Sequence, residues 1–310
     1  MLIGLVGAGG FIGSCLLRRL TVGSPNTVRV LLRKGRASQE CGQVDIVRGD
    51  LLSFADCRHF VDGLDVIYYL AHHNTPVSSD HDQVNDARLN VIPLLTLLEA
   101  IHERKTKPHL VYFSSGGAVY GRKDERIPFR ETDLCAPSSS YGIQKLTAEH
   151  YLRLAAERGT LTCTALRVGN AYGALLPRER MQGLIGVAIN SVLHNAPIRT
   201  FGHTGNIRDY VHLDDICTIA TKAAERTHPF TIVNVGSGLG HSVREVLEMI
   251  EQHAGLPVEI DSVATPYGNS LADWVVLDID KARERYRWIP SVDLAAGIRR
   301  MFESSRPASA

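Results

Sequence analysis

A doubly wound, parallel α/β sheet with a smaller, interleaved C-terminal α+β lobe is the fold this sequence predicts, and three observations predict it. Short apolar runs alternate with helix-like stretches through the first half of the 310 residues. The first run opens directly into a glycine-rich turn carrying Gly7, Gly10 and Gly13. Beyond Gly173 the rhythm changes, loops lengthen, and helical patterns mix with short strands.

The elements follow in order. Leu2–Val6 reads as a first buried strand and Phe11–Leu20 as the helix behind the glycine turn. Val28–Leu32, Val44–Val47 and Val66–Leu70 read as strands two, three and four. A helical pattern over Val84–Glu103 precedes strand five at Leu110–Phe113, and another over Tyr141–Arg158 precedes strand six at Leu161–Arg167. This rhythm places helices on both faces of a parallel sheet of Rossmann type. In the second half, Met181–His194 reads as a helix and Thr231–Val235 as a strand that returns to the main sheet. The two lobes therefore interleave. Residues 1–172 with about 209–236 are expected to form a dinucleotide-binding domain, and 173–208 with about 237–304 a substrate lobe, before a frayed tail at 305–310.

Bulk properties narrow the function. The chain is 44% hydrophobic with a net charge of +1 and well-mixed charges. That supports a large core and points to neither a nucleic-acid partner nor an anionic membrane surface. No apolar stretch approaches the roughly 20 residues of a membrane span. Met1 leads straight into a strand without a basic leader or cleavage site, which predicts a cytoplasmic protein. Six scattered cysteines, Cys15, Cys41, Cys57, Cys135, Cys163 and Cys217, read as reduced thiols, and no metal site is expected.

The chemistry begins at the glycines. Their spacing, GxxGxxG after a strand and before a helix, permits a tight turn and the approach of a pyrophosphate to a helix N-terminus; the alternative is a tight strand–helix turn without ligand. Strand two ends at Arg33, where an NAD site commonly carries an acid for the ribose 2′-hydroxyl; Arg33 would instead pair with a 2′-phosphate, or be a solvated basic residue. The cofactor is therefore NAD or NADP, with Arg33 leaning towards NADP. Asp50, after strand three, would accept from an adenine amino group or cap the following helix near Ser53. Tyr141 and Lys145, four residues apart, share one helix face. An ammonium beside a phenol favours the phenolate, which can take a proton from an alcohol while a dinucleotide takes the hydride.

With these residues stand Tyr69-Leu70-Ala71, Asn90-Val91, Phe113-Ser114-Ser115 with Val119-Tyr120-Gly121, Arg167 through Gly173, Arg208 through His212, Asn234 through Gly238, and Trp288-Ile289-Pro290. In this order the chain resembles an extended short-chain dehydrogenase/reductase of the NAD-dependent epimerase/dehydratase branch, from Leu2 to about Pro290. The resemblance implies Tyr141 as catalytic base and acid, with Lys145 on the nicotinamide ribose. It implies Gly7, Gly10, Phe11, Ile12 and Gly13 at the pyrophosphate, with Asp50, Leu51, Ala71, Asn90 and Ser114 along the cofactor cleft. Asn170 and Arg208 would meet a substrate diphosphate. The bland alternative for Arg208 is a salt bridge with Asp209 or Asp214. A homodimer through helices 84–103 and 141–158 is also implied.

Two positions depart from the family pattern. Gly116 stands where the family places Ser or Thr three residues before the Val of Val-Tyr-Gly, so Ser115 or a water must supply the hydroxyl at the reacting oxygen. Strand neighbours point to opposite faces, which tells against a simple substitution by Ser115. Pro266 through Ser270 lacks the Arg that related epimerases carry before Leu277-Asp278, leaving either Arg208 with Arg178 or Arg180 for the diphosphate or a ligand other than an ordinary nucleotide sugar. His72-His73 follows strand four and would touch substrate at most, and Asp214-Asp215 reads as a helix cap.

The expected function is therefore epimerisation of a nucleotide sugar, at C4 of a UDP-hexose or UDP-N-acetylhexosamine, through a transient keto sugar and a tightly bound cofactor. An NADPH-dependent reductase of a keto sugar or other carbonyl is the alternative. A non-catalytic dinucleotide sensor or scaffold is a third reading, opposed by the intact Tyr141 and Lys145. Dehydration fits less well, since Gly117 and Ala118 occupy the positions of the Asp-Glu pair that such chemistry uses in this family.

Overall fold

The computed structural model describes residues 1–33, 44–73, 79–80, 82–104, 107–176, 183–201, 203–225, 228–255, 259–263 and 272–305. The first half runs β1 (Leu2–Val6), α1 (Phe11–Thr21), β2 (Thr27–Leu32), β3 (Val44–Arg48), α2 (Phe54–Phe60), β4 (Val66–Tyr69), α3 (Gln83–His102), β5 (His109–Ser115), α4 (Ser140–Glu157) and β6 (Thr162–Val168). The second runs β7 (Asn170–Tyr172), α5 (Leu184–Leu193), β8 (Ile198–Phe201), β9 (Ile207–His212), α6 (Leu213–Glu225), β10 (Phe230–Val235), β11 (Gly240–Ser242), α7 (Val243–Ala254), β12 (Ile260–Val263), β13 (Trp274–Val275), α8 (Asp280–Tyr286) and α9 (Leu294–Ser305). The expected strands and helices of the first half are all present, their ends moved by no more than two residues. Of the expected helix at 181–194, residues 181–182 lie outside the described residues.

Seven strands form the main sheet in the order β10-β6-β5-β4-β1-β2-β3. Every pair in it is parallel. Parallel strands need helical crossovers, and these cover both faces. On one face Leu16 and Leu20 of α1 and Ile216, Ile219 and Ala223 of α6 pack on Leu5, Val28, Val111 and Val233. On the other, Phe60 of α2, Leu94 and Leu97 of α3 and Leu152 of α4 pack on Ile67, Tyr69, Leu110 and Cys163. The chain leaves β1 towards β2 on one side and reaches β4 on the other, so a crevice opens at the carboxyl ends between them.

A smaller sheet is built around β9, which pairs with β7 and β13 in parallel and with β11 antiparallel. Of the segment 209–236, β10 pairs with β6 in the main sheet and α6 packs on that sheet, whereas β9 belongs to the small one. A third core, from Ile185 and Ile189 of α5, Val246 and Ile250 of α7 and Ile298 and Phe302 of α9, lies on the small-sheet side. Among the described residues, no helix is long and apolar enough to cross a membrane.

Two buried carboxylates join distant segments. Asp209 of β9 accepts from Ser237 N at 2.6 Å, Ser237 Oγ at 2.7 Å, Gly238 N at 3.1 Å and Leu277 N at 3.2 Å. Asp215 accepts from Ser291 N at 2.9 Å, Ser291 Oγ at 2.7 Å and Val292 N at 3.1 Å. The sequence reading of Asp214-Asp215 as a helix cap is therefore corrected. His212 supplies the cap, its Nδ1 accepting from Asp214 N at 3.2 Å, and Asp215 ties the C-terminal segment to α6. Asp215→Ala strands two backbone N–H groups and should cost about 2–4 kcal/mol of unfolding free energy by urea titration. A loss below roughly 0.5 kcal/mol, the range of an ordinary surface change, would contradict this role.

Candidate active site

The glycine turn shapes the first half of the site. Gly7 has φ +93°, and a Cβ there would sit 2.8 Å from Ala71 N. A Cβ on Gly13 would collide with the Gly7 carbonyl, so only glycine lets α1 start this close to β1. Gly10 caps α1 without a side chain, and the first turn carries no acidic residue. The N–H groups at the start of α1 are thus left for an external acceptor, and the helix dipole favours an anion there. A cavity of about 640 Å³ opens at this point. Gly7, Gly10 and Phe11 line it, as do Arg33, Asp50, Leu51 and Ala71 from the ends of β2, β3 and β4. This cradle fits a dinucleotide. Arg33 is exposed at its rim. Asp50 Oδ1 accepts from Leu52 N at 2.9 Å, while Ser53 caps α2.

The second half is the first turn of α4. Ser139 caps it through Gly142 N at 3.2 Å. Asp80 accepts from Ser140 N at 2.7 Å and Ser79 from Tyr141 N at 2.8 Å. The fully buried Asp86 of α3 takes the Ser140 hydroxyl at 3.1 Å and the Gln144 amide at 2.5 Å. Asn90 is buried in the same network, donating to Asp86 Oδ1 at 2.7 Å and accepting from His73 N at 2.7 Å. Its side chain therefore fixes the cleft wall. Sequence reasoning missed Ser79, Asp80, Asp86 and Gln144. Gln144 on the Tyr141–Lys145 helix face was the one available signal.

Tyr141 lies near Ser115, whose hydroxyl favours the phenolate. Alternation along β5 turns Ser114 inward to Glu149 and Ser115 to the cleft. A Cβ at Gly116 would lie 2.6 Å from Leu277 Cδ1 and 3.0 Å from Arg167 O, so a side chain at that position requires the buried Leu277 to shift. Asn170 stands close by, its Oδ1 3.3 Å from where a Gly117 side chain would begin.

The expected charge pairing is not what the structure holds. Burial pushes the Tyr141 phenol up to about 12, offset only in part by Ser115. Burial likewise lowers Lys145 to about 7, against the pull of Glu149. Lys145 Nζ donates to Phe113 O at 2.8 Å and sits 5.6 Å from the centre of the Tyr141 ring. In the protein alone, desolvation thus outweighs the attraction that would ionise the phenol. One turn further on, Glu149 receives a bidentate Arg167 at 2.7 and 3.1 Å, both side chains 3% exposed.

Arg208 on β9 is partly buried, and its Nη1 donates to Ile207 O at 2.8 Å. Neither expected carboxylate pairs with it: Asp209 is used as above, and Asp214 faces His212. Arg178, Arg180 and 266–270 lie outside the described residues. Among the described residues no cluster of His, Cys, Asp or Glu could hold a metal, and the cysteines other than Cys41 carry no disulfide.

Comparison with known proteins matches residues 3–236 to the model of the NAD dependent epimerase/dehydratase family. A UDP-glucose 4-epimerase of Mycolicibacterium smegmatis is 29% identical, with 98% of each chain covered. A dTDP-4-dehydro-6-deoxyglucose reductase of Escherichia coli is 30% identical over 76% of this chain and 71% of its own. The crystal structure of Thermus thermophilus UDP-glucose 4-epimerase in complex with NAD superposes with a TM-score of 0.88 at 28% identity, covering 98% of both chains.

The lysine makes a pH prediction. Its folded pKa of about 7 lies below the roughly 10.4 of an unfolded lysine. Between these values the unfolded chain binds a proton that the folded site refuses, so stability from this group is present above about pH 10 and is lost as pH falls towards 7. Lys145→Met should flatten the rise in unfolding free energy between about pH 7 and pH 9 relative to the parent. Parallel profiles would contradict a depressed lysine.

Proposed function

Because the chain belongs to the NAD dependent epimerase/dehydratase family, we propose that it epimerises a nucleotide sugar, at C4 of a UDP-linked hexose or N-acetylhexosamine. At the coarser level it is an NAD(P)-dependent enzyme of nucleotide sugars, an epimerase or related oxidoreductase. The observation that carries the reading is the grouping of the Tyr141 phenol with the Ser115 hydroxyl and Lys145 at the end of β5. The match to an epimerase over 98% of the chain, C-terminal lobe included, favours epimerisation over the partial match to a reductase.

In this reading Gly7, Gly10, Phe11, Ile12 and Gly13 hold the pyrophosphate, with Asp50, Leu51 and Ala71 around the adenosine and Lys145 at the nicotinamide ribose. When bound, the dinucleotide supplies the hydride acceptor and donor. The chain's own residues manage the proton. Ser115 orients the sugar hydroxyl, and Tyr141 takes its proton and returns it. Among the described residues Arg208 has no carboxylate partner, so its guanidinium suits a diphosphate, and Asn170 faces the same side. Residues 1–172 with 213–236 serve the dinucleotide, and β9 with the remaining C-terminal elements serves the sugar nucleotide.

Arg33, which lines the cavity at the end of β2, favours a second reading, an NADPH-dependent reductase, because a guanidinium there suits a 2′-phosphate. The exposed apolar side chains Val84, Ile92 and Ile143 border a groove between α3 and α4, which supports pairing with a second copy. The free thiols support a cytoplasmic setting.

Tyr141→Phe should keep dinucleotide binding and lower turnover by roughly 10²–10⁴-fold. Unchanged turnover would remove the catalytic assignment. Mass analysis of what co-purifies should find NAD or NADP, the extra phosphate following Arg33, and Arg33→Ala should then favour NAD. Net consumption of NADPH with a keto sugar would replace epimerisation by reduction. Ile143→Glu should give a monomer by light scattering, and an unchanged oligomer would exclude this interface.

A further inference from the structure

His72 follows β4 and lines the cavity beside the glycine turn. Its imidazole meets the Tyr141 ring edge to face, with centroids 4.7 Å apart and planes at 80°. Nε2 is sealed from solvent and has no hydrogen-bond partner among the described residues. Burial, then the charge of Lys145, then His73, hold its pKa well below the ordinary histidine value, so the ring is neutral near pH 7.

Other uses of this residue fail on the geometry. A proton relay through Nε2 needs a hydrogen-bonded neighbour, and among the described residues that nitrogen has none. A metal needs further ligands, and no group of three exists among the described residues. What remains is the ring itself. Tyr141 projects from the first turn of α4, where the helix alone leaves its ring several staggered positions. Lys145 borders the phenol on one side, Ser115 lies near its hydroxyl, and His72 closes a further side.

We propose that His72 is a positioning residue that holds the Tyr141 ring at the angle from which its hydroxyl meets Ser115 and the reacting alcohol. The inference rests on the reading of Tyr141 as base and acid. Edge-to-face packing is directional, so the ring edge, rather than bulk or the nitrogen, carries the function. A displacement of about 1 Å at a reacting group costs on the order of a hundredfold in rate.

The test is a set of variants assayed for turnover and for dinucleotide binding. His72→Ala should lower kcat by about ten- to a hundredfold while substrate KM and dinucleotide Kd change by less than about threefold. His72→Phe restores the ring edge without the nitrogen and should recover kcat to within about threefold of the parent. His72→Asn should not. If His72→Ala melts below the assay temperature, His72→Leu is read in its place with the same expected loss. The proposal is overturned if kcat is retained in His72→Ala or His72→Leu, if the loss falls on KM, or if Asn rescues where Phe does not. Tyr141→Phe, run alongside, separates the two readings. An active Tyr141→Phe overturns the function, whereas an inactive one beside a fully active His72→Ala overturns this inference alone.

Discussion

The cleft depends on where the first turn of α4 is pinned. Backbone N–H groups at a helix start have no partner within the helix, and here they are taken by Ser139, Ser79 and Asp80. Asp86 reaches across from α3 to the Ser140 and Gln144 side chains on either side of Tyr141. Two carboxylates at a helix N-terminus also complement its dipole. Farther along, the bidentate Arg167–Glu149 pair grips the same helix from β6. A buried pair of this kind is costly to desolvate, so its contribution lies in register more than in net stability. Together the two clamps fix rotation and axial position. A rotation of α4 by one residue, roughly 100°, would carry Tyr141 out of the cleft altogether.

The small lobe reaches the same point by another route. Asp209 holds the backbone of Leu277, and Leu277 fills the space a side chain at Gly116 would need. Glycine at 116 thus matches this packing, and a hydroxyl stands one residue back at Ser115. The reacting end of β5 is set by both lobes at once. Charge follows from the same burial. A phenol at about 12 and an ammonium at about 7 are both resisted in their charged forms, so proton transfer at Tyr141 is governed by what shares the cleft with it.

How much of this was legible from sequence depends on how local each signal is. The strands, the glycine turn and the Tyr141–Lys145 spacing are local patterns, and they appeared where periodicity put them. Gly7 and Gly13 could be assigned because close approach of backbone to backbone leaves no alternative residue. Ser115 was ambiguous, since alternation names a face only once the facing helix is known. The anchors Ser79, Asp80 and Asp86 were invisible because each meets α4 only through the fold, more than 50 residues away along the chain. The proton states of Tyr141 and Lys145 are not legible for the same reason: spacing reveals proximity, whereas desolvation is a property of the packed interior. Asp215 read as a cap from its neighbours, yet its partners are Ser291 and Val292.

One measurement bears on the central claim most directly. A crystal structure of the protein with its dinucleotide and a UDP-hexose should show Tyr141 Oη and Ser115 Oγ converging on one sugar oxygen, each at roughly 2.6–3.2 Å. A sugar bound in the cleft with no oxygen within reach of Tyr141, the phenol still packed on His72, would contradict it.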